Sequence, residues 1–364
     1  MRFLEAEIDL DILSENLQKI KEFLKKKTIK IIAVVKADAY GHGAEKVCQE
    51  IQNKVDYLAV AFCEEAAVLR QAGINSKILV LFDREVNKVF KYNLTPVVFS
   101  LDQAKALSLQ AVRESKILSI HIKVETGMGR VGIYGNLLET IKEIAALPNL
   151  KVEGVMSHLS QTEDKEWTYE QINKLKEIKE KLNRLGMHPL FHISASSGII
   201  YEDALFDAVR PGIMLYGYNV NCPVSVNPCM QVKTKILDIR RLPRGSSISY
   251  GRTFITKRNS LIGVIPIGYA DGYFRTLSNK AYVIVRDKKV PVVGRICMDL
   301  TMIDLTDLPE AKVDEEVILL GSSGSEKITA EDIADWAGTI PYEILTSLGG
   351  KAKKRYIKGG KHVS

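Results

Sequence analysis

No stretch of the 364 residues approaches the ~18 consecutive apolar residues that a membrane span requires. Leu261 to Ala270 is the longest candidate, and Gly263, Pro266 and Gly268 interrupt it. The five cysteines, Cys48, Cys63, Cys222, Cys229 and Cys297, are odd in number, and no pair has C-x-x-C spacing. A disulfide scaffold is excluded, and free thiols in a reducing compartment are expected. No H-E-x-x-H and no G-x-S-x-G occurs, which argues against a zinc protease and a serine hydrolase. Internal repeats and low-complexity tracts are also lacking. The excess of positive charge is small, +7 from 51 basic and 44 acidic residues. The basic residues are dispersed, with local clusters only at Lys25-Lys26-Lys27 and between Lys351 and Arg355, so a nucleic-acid surface is not expected. Glu5 and Glu7 stand where a secretory leader is apolar, and a cytoplasmic location is expected.

What is present is an average globular composition, 46% apolar and 26% charged, on a chain long enough for about two domains. Eight short apolar runs read as buried parallel strands. They are 29–35, 57–62, 78–82, 96–99, 117–124, 152–157, 190–193 and 208–215. Helical spacing lies between them. Leu13, Leu17, Ile20 and Leu24 form one stripe; Ile172, Leu175, Ile178, Leu182 and Leu185 form another, with Gly186 as its stop. Counting alone favours a closed β/α barrel over an open doubly wound sheet. After Asn219-Val220-Asn221-Cys222-Pro223 the alternation ceases, and Pro223 and Pro228 flank a linker. Strand-like stretches follow at 234–239, 247–255, 261–267, 282–285, 290–296 and 317–320, with Asp287-Lys288-Lys289 as a hairpin turn. A helix starts near Thr329, capped with Asp332. The expected fold is α/β: an N-terminal (β/α)8 TIM-type barrel, residues 1–222, and a C-terminal mainly β domain, residues 223–364. The extreme N-terminus could pack with the β domain.

Reactive groups of a β/α barrel sit past the C-terminal ends of its strands. Those positions hold Lys36, Arg130, His158, the segment from Ser194 to Ser197, and Arg210. Lys36 ends a buried run, where desolvation lowers an amine pKa and frees a nucleophile; a strand-end lysine reaching solvent is the plainer alternative. The loop Thr126-Gly127-Met128-Gly129-Arg130-Val131-Gly132 offers little bulk and exposed backbone N–H groups, and Arg130 could clamp a carboxylate. Its glycines do not form a G-x-G-x-x-G that opens a helix, so a dinucleotide site is a poor fit. His158 and His192 have no metal spacing. Ser194-Ala195-Ser196-Ser197-Gly198 suits a phosphate at a helix start, or an ordinary cap. Each of these signals is weak alone.

Taken jointly, they resemble one family. Ala33-Val34-Val35-Lys36-Ala37-Asp38-Ala39-Tyr40-Gly41-His42-Gly43, Thr126 to Arg130, Arg210-Pro211-Gly212-Ile213, Ser249-Tyr250-Gly251, Pro266 to Gly272 and Gly294 to Asp299 occur in the order found in alanine racemases. These are pyridoxal-phosphate (PLP) enzymes of fold type III, and the resemblance runs nearly end to end. It implies a homodimer with shared sites and a small amino-acid substrate. Lys36 would hold PLP and act as one acid–base group, serving D-alanine. Tyr250 of the partner subunit would be the other, serving L-alanine. His158, Arg210 and His192 would stabilise the phenolate, and Arg210 would face the pyridine nitrogen. Tyr40, Ser196, Gly212 and Ile213 would hold the phosphate, with Tyr269 or Tyr356 nearby. Arg130 and the partner subunit's Met298 would hold the substrate carboxylate. Lys123, carbamylated in some members, would orient that arginine, and Cys297 and Asp299 complete the motif around Met298.

Two departures stand out. Gly350 falls about where the family has a tyrosine near the entrance, and Ala195 where an asparagine often stands. The first puts strict selectivity for alanine in doubt. The leading expectation is an alanine racemase feeding peptidoglycan. A broad-specificity or serine racemase, a fold-type III decarboxylase and a PLP-binding homeostasis protein are the alternatives. The last would not need Tyr250 or the second domain.

Overall fold

The computed structural model describes residues 3–24, 28–218 and 222–363. The Lys25-Lys26-Lys27 cluster and Asn219-Val220-Asn221 lie outside them. The chain forms two compact units. One comprises residues 14–37 and 44–226, the other residues 1–13, 38–43 and 227–364. Among the described residues no helix is long and apolar enough to cross a membrane.

The first unit carries eight parallel strands, β2 to β9, in chain order after an N-terminal strand β1 (Glu5–Asp9) that belongs to the other unit. They are β2 (Lys30–Val34), β3 (Tyr57–Val60), β4 (Ile78–Val80), β5 (Thr95–Val98), β6 (Leu118–Lys123), β7 (Leu150–Met156), β8 (Leu190–His192) and β9 (Ala208–Val209). Neighbours pair in the order β8-β7-β6-β5-β4-β3-β2-β9, and a bridge between Ala195 and Arg210 joins the two ends. The barrel is therefore closed through that bridge, and the open-sheet alternative is set aside. The strands are apolar on both faces because helices cover them outside and side-chain layers fill them inside. The expected strand over 208–215 stops at Val209. Pro211 cannot donate to a ladder, and Gly212 turns the chain into a 3₁₀ turn, Ile213–Tyr216, all buried. The helix Lys165–Arg184 is capped by Asp164, whose side chain accepts from the Trp167 N–H at 3.0 Å. Ile172, Leu175 and Leu182 are fully buried on it, Leu185 lies outside the stripe at 48% exposure, and Gly186 stops the chain at φ +74°.

In the other unit β1 pairs antiparallel with Met230–Lys235 and parallel with Lys353–Lys358. The stretch expected as one strand over 234–239 is two, Met230–Lys235 and Asp238–Leu242, which enter different sheets. The stretch 247–255 is likewise broken. Ser247–Ile248 pairs with Phe254–Ile255 across a turn whose Ser249, Gly251 and Arg252 have φ of +62°, +71° and +50°. The hairpin turn is Arg286-Asp287, with φ of +47° and +59°, and Lys288 and Lys289 already belong to the strand. A two-residue hairpin needs positive φ at both centres, which aspartate tolerates. Thr329 and Asp332 form the expected reciprocal cap.

Leu182→Ala should destabilise the first unit by about 2–5 kcal/mol, because a fully buried side chain leaves a cavity. Urea unfolding of the two proteins checks this; a change below about 1 kcal/mol would contradict the packing described.

Candidate active site

Lys36 follows β2 and opens an unusual turn. Ala37, Asp38, Ala39 and Tyr40 all have φ between +53° and +55°, a left-handed helical turn built without glycine. For L-residues this costs roughly 1–2 kcal/mol each, so neighbouring bonds must hold it. The Glu65 carboxylate accepts the Ala37 N–H at 2.6 Å. The Gly43 N–H reaches the Asp38 carbonyl at 2.9 Å, and the His42 ring contacts the Ala39 and Tyr40 carbonyls through Nδ1, each at 3.0 Å. Gly41 continues the turn at φ +81°, where a Cβ would strike the Leu345 carbonyl. The turn buries Tyr40, whose ring lies 5.9 Å from that of Tyr342. Burial, then Tyr342, pushes the Tyr40 phenol up.

Lys36 and Arg130 meet over one ring. The Lys36 amine is 5.8 Å and the Arg130 guanidinium 5.3 Å from the centroid of Phe82, which follows β4. Burial first, then Arg130, lowers the Lys36 pKa against the opposing pull of Glu65. The glycine loop after β6 is arranged differently from expectation. Its N–H groups at Gly127 and Met128 are taken by the Glu125 carboxylate at 2.6 and 2.5 Å, so they are not offered to a ligand. Burial works against that carboxylate, yet the loop N–H groups hold its pKa below the usual range. Arg130 thereby projects from a loop folded around an anion. Lys123, at the end of β6, is buried, and burial followed by Arg210 and Arg130 lowers its pKa to about 8.

Arg210 is fully buried behind them. Its NH2 donates to the carbonyls of Ser157 at 2.7 Å and Ile193 at 2.9 Å. NH1 reaches His192 Nδ1 at 2.7 Å, and NH2 lies 3.1 Å from His158 Nδ1. A guanidinium only donates, so both Nδ1 atoms accept and both imidazoles carry their proton on Nε2; NH2 has two hydrogens for three acceptors, so His158, the most distant, shares one with a carbonyl. Nearby, Ser196 Oγ accepts from the N–H groups of Gly212 at 3.0 Å and Met214 at 3.4 Å. Its own O–H has no acceptor among the described residues, which leaves a donor beside backbone N–H groups. Lys36, Arg130, Lys123, His158, His192, Arg210, Ser196, Gly212 and Ile213 thus all fall within the barrel unit. Phe82, Glu65, Glu125 and His121 were not singled out by motif. His121 had a signal, since it stands two residues before Lys123 on a strand and therefore on the same face.

The remaining residues belong to the other unit and gather on one surface. The Ser249 hydroxyl donates to the Arg295 carbonyl at 2.5 Å and lies 3.4 Å from Cys297 Sγ. Tyr269 and Ala270 donate N–H groups to the carbonyls of Cys297 at 3.1 Å and Met298 at 3.0 Å. Gly268 permits this approach, because a Cβ there would collide with both carbonyls. Tyr250 at 71%, Met298 at 55% and Tyr269 at 43% are exposed large side chains, and Asp299 is exposed beside them. Tyr356 packs its hydroxyl against Gly43. Gly350 is exposed with open space around it.

Two family models match, "Alanine racemase, N-terminal domain" over residues 8–220 and "Alanine racemase, C-terminal domain" over residues 229–356. The chain is 64% identical over 359 residues to an alanine racemase of Thermodesulfovibrio yellowstonii, covering 98% of each chain. It superposes on alanine racemase of Clostridium difficile with a TM-score of 0.92 at 36% identity, covering all of this chain and 98% of that one. A Bartonella henselae alanine racemase with covalently bound pyridoxal phosphate matches at TM-score 0.87 and 30% identity, over 98% and 100% of the two chains.

Burial dominates the histidines. It lowers the pKa of His42 and His121 to about 4 and those of His158 and His192 well below the ordinary value, with Arg210 adding to all but His42. All four are neutral at pH 7. Unfolded histidines protonate near pH 6.5, so between about pH 6.5 and 4 the unfolded chain binds protons that the folded chain refuses. Stability should therefore fall as pH drops through that window. Urea unfolding at pH 7 and pH 5 checks the sign; equal stability at both would contradict the neutral cluster.

Proposed function

The chain belongs to the alanine racemase family and is an isomerase of alanine, and on that footing we propose that Lys36 and Tyr250 are its two opposed acid–base groups. The observation that carries the reading is the barrel mouth itself. A desolvated amine, a serine hydroxyl beside backbone N–H groups and three further cations converge there, a donor set that fits an aldehyde bearing a phosphate. Lys36 would hold PLP through its amine. Ser196, Gly212, Ile213 and Tyr40 would take the phosphate, and Arg210 would donate to the ring nitrogen without giving up its proton. PLP bound there supplies the electron withdrawal that makes the substrate Cα–H removable. Arg130, with the backbone of Met298 of the partner subunit, fixes the substrate carboxylate. The freed Lys36 amine removes or returns the Cα proton on one face, serving D-alanine. The phenol oxygen of Tyr250 of the partner subunit does so on the other, serving L-alanine. His158 keeps its proton on Nε2 and offers that N–H to the phenolate. The exposure of Tyr250, Tyr269 and Met298 on one surface supports a homodimer that completes each site from a second copy. An odd number of cysteines with no C-x-x-C spacing supports a cytoplasmic location, and D-alanine for peptidoglycan is the product we assign.

Solvent-deuterium incorporation into each enantiomer tests the assignment. Lys36→Ala, in protein loaded with PLP, should abolish exchange starting from D-alanine. Tyr250→Phe should slow proton removal from L-alanine by about 10²–10⁴-fold while sparing D-alanine exchange. Identical defects for both enantiomers in Tyr250→Phe would contradict the two-base reading.

A further inference from the structure

The hydrogen-bond chain does not end at His192. His121 lies one layer below Lys123 inside the barrel, fully buried. Its Nδ1 is 2.9 Å from His192 Nε2, and the two rings meet edge to face with centroids 5.1 Å apart. The barrel is built to hold it there. The pairing of β6 with β7 slips by one residue at this point, with Ile120 opposite Val152 and His121 opposite Gly154. Glu153 is the extra residue of this irregularity, a device that re-aims neighbouring side chains. Opposite the ring stands Gly154, where a Cβ would fall 2.5 Å from Nδ1 of His121. Tyr57 closes the other side, its ring centroid 5.7 Å away. Glu153, Lys77, Arg210 and His192 are the charged and titratable groups that act on His121.

We propose that His121 is a positioning residue for racemisation: it accepts the Nε2–H of His192 and so locks the imidazole that orients Arg210. Arg210 obliges His192 Nδ1 to accept, so the His192 proton is on Nε2 and needs an acceptor. His121 Nδ1 is that acceptor, which places the His121 proton on its own Nε2. That atom is buried and has no partner among the described residues. A protonated His121 would set a donor against a donor, so the lock works only with His121 neutral. Without it, the buried His192 N–H is left unsatisfied, and the ring is free to leave Arg210. The kinetic consequence rests on the racemase reading; the tautomer assignment does not.

Two readouts separate these claims. Holoenzyme carrying ¹⁵N-labelled histidine should show His121 and His192 neutral at pH 7, each with its proton on Nε2. His121→Phe should shift the His192 ring nitrogens and lower kcat about 10- to 100-fold, as displacement of a supporting group does. Because the two enantiomers of alanine have equal free energy, kcat/KM must fall equally in both directions. The discriminating readout is the isotope effect, which should rise for 2-deuterated L-alanine and not for D-alanine. His121→Asn, which places a carbonyl oxygen as many bonds from Cα as Nδ1, should restore both signals. Gly154→Ala should reproduce the loss without altering any histidine, and carries the test if His121→Phe does not fold. Unchanged His192 nitrogens, an equal isotope effect for both enantiomers, or failure of Asn to rescue would overturn the proposal. Native protein with the stated tautomers but no racemisation would overturn the racemase reading instead.

Discussion

One buried guanidinium orders the barrel mouth. Arg210 sits where the last strand meets the first part of the loop after β8, and its backbone makes the bridge that closes the barrel. Its side chain gathers carbonyls that follow β7 and β8 together with two imidazoles. A buried charge is costly unless its donors are satisfied, and here neutral acceptors do so without a carboxylate. Because the guanidinium donates and never accepts, it dictates the proton position on each ring it touches. The surrounding charges are also unbalanced. Lys36, Lys123 and Arg130 share the mouth, while the nearby carboxylates of Glu65 and Glu125 are committed to backbone N–H groups. Such a surround favours anions, and a phosphate-bearing cofactor with a carboxylate substrate fits it.

The order of this architecture was largely readable from period and spacing. Eight apolar runs became eight strands because a parallel strand buried on both faces must be apolar throughout. Leu13, Leu17, Ile20 and Leu24 formed a buried stripe for the same reason of periodicity. The lapses are physical. Apolar residues 213–215 read as strand but are buried in a 3₁₀ turn, because burial alone does not distinguish the two once Pro211 and Gly212 intervene. In the β-rich half, hydrophobic alternation gives strands but not their breaks, so 234–239 was read as one element when it supplies two sheets.

The site shows the same boundary. Strand-end positions pointed to Lys36, His158 and Arg210, since barrel chemistry collects there. The left-handed turn from Ala37 to Tyr40 left no sequence trace: none of its four residues is glycine, and the bonds that hold it come from Glu65, His42 and Gly43, all outside the turn. The glycine loop after β6 reads as exposed backbone N–H groups beside Arg130, yet those of Gly127 and Met128 serve the chain's own Glu125. Glycine content signals exposed backbone but not its partner. His121 was recoverable from the period of two, whereas the slip at Glu153 that seats it was not.

On the proposed function, Lys36 and Tyr250 of different copies build one site. They fall in different compact units of the chain, and Tyr250 is exposed at 71%. The direct measurement mixes Lys36→Ala protein with Tyr250→Phe protein under conditions that exchange subunits. In a mixed dimer one site combines both altered residues and the other has neither. Alanine racemisation should recover to roughly a quarter of the native rate at random exchange. No recovery above the two inactive parents, with exchange verified by mass, would show that each site draws both bases from a single chain and would contradict the account.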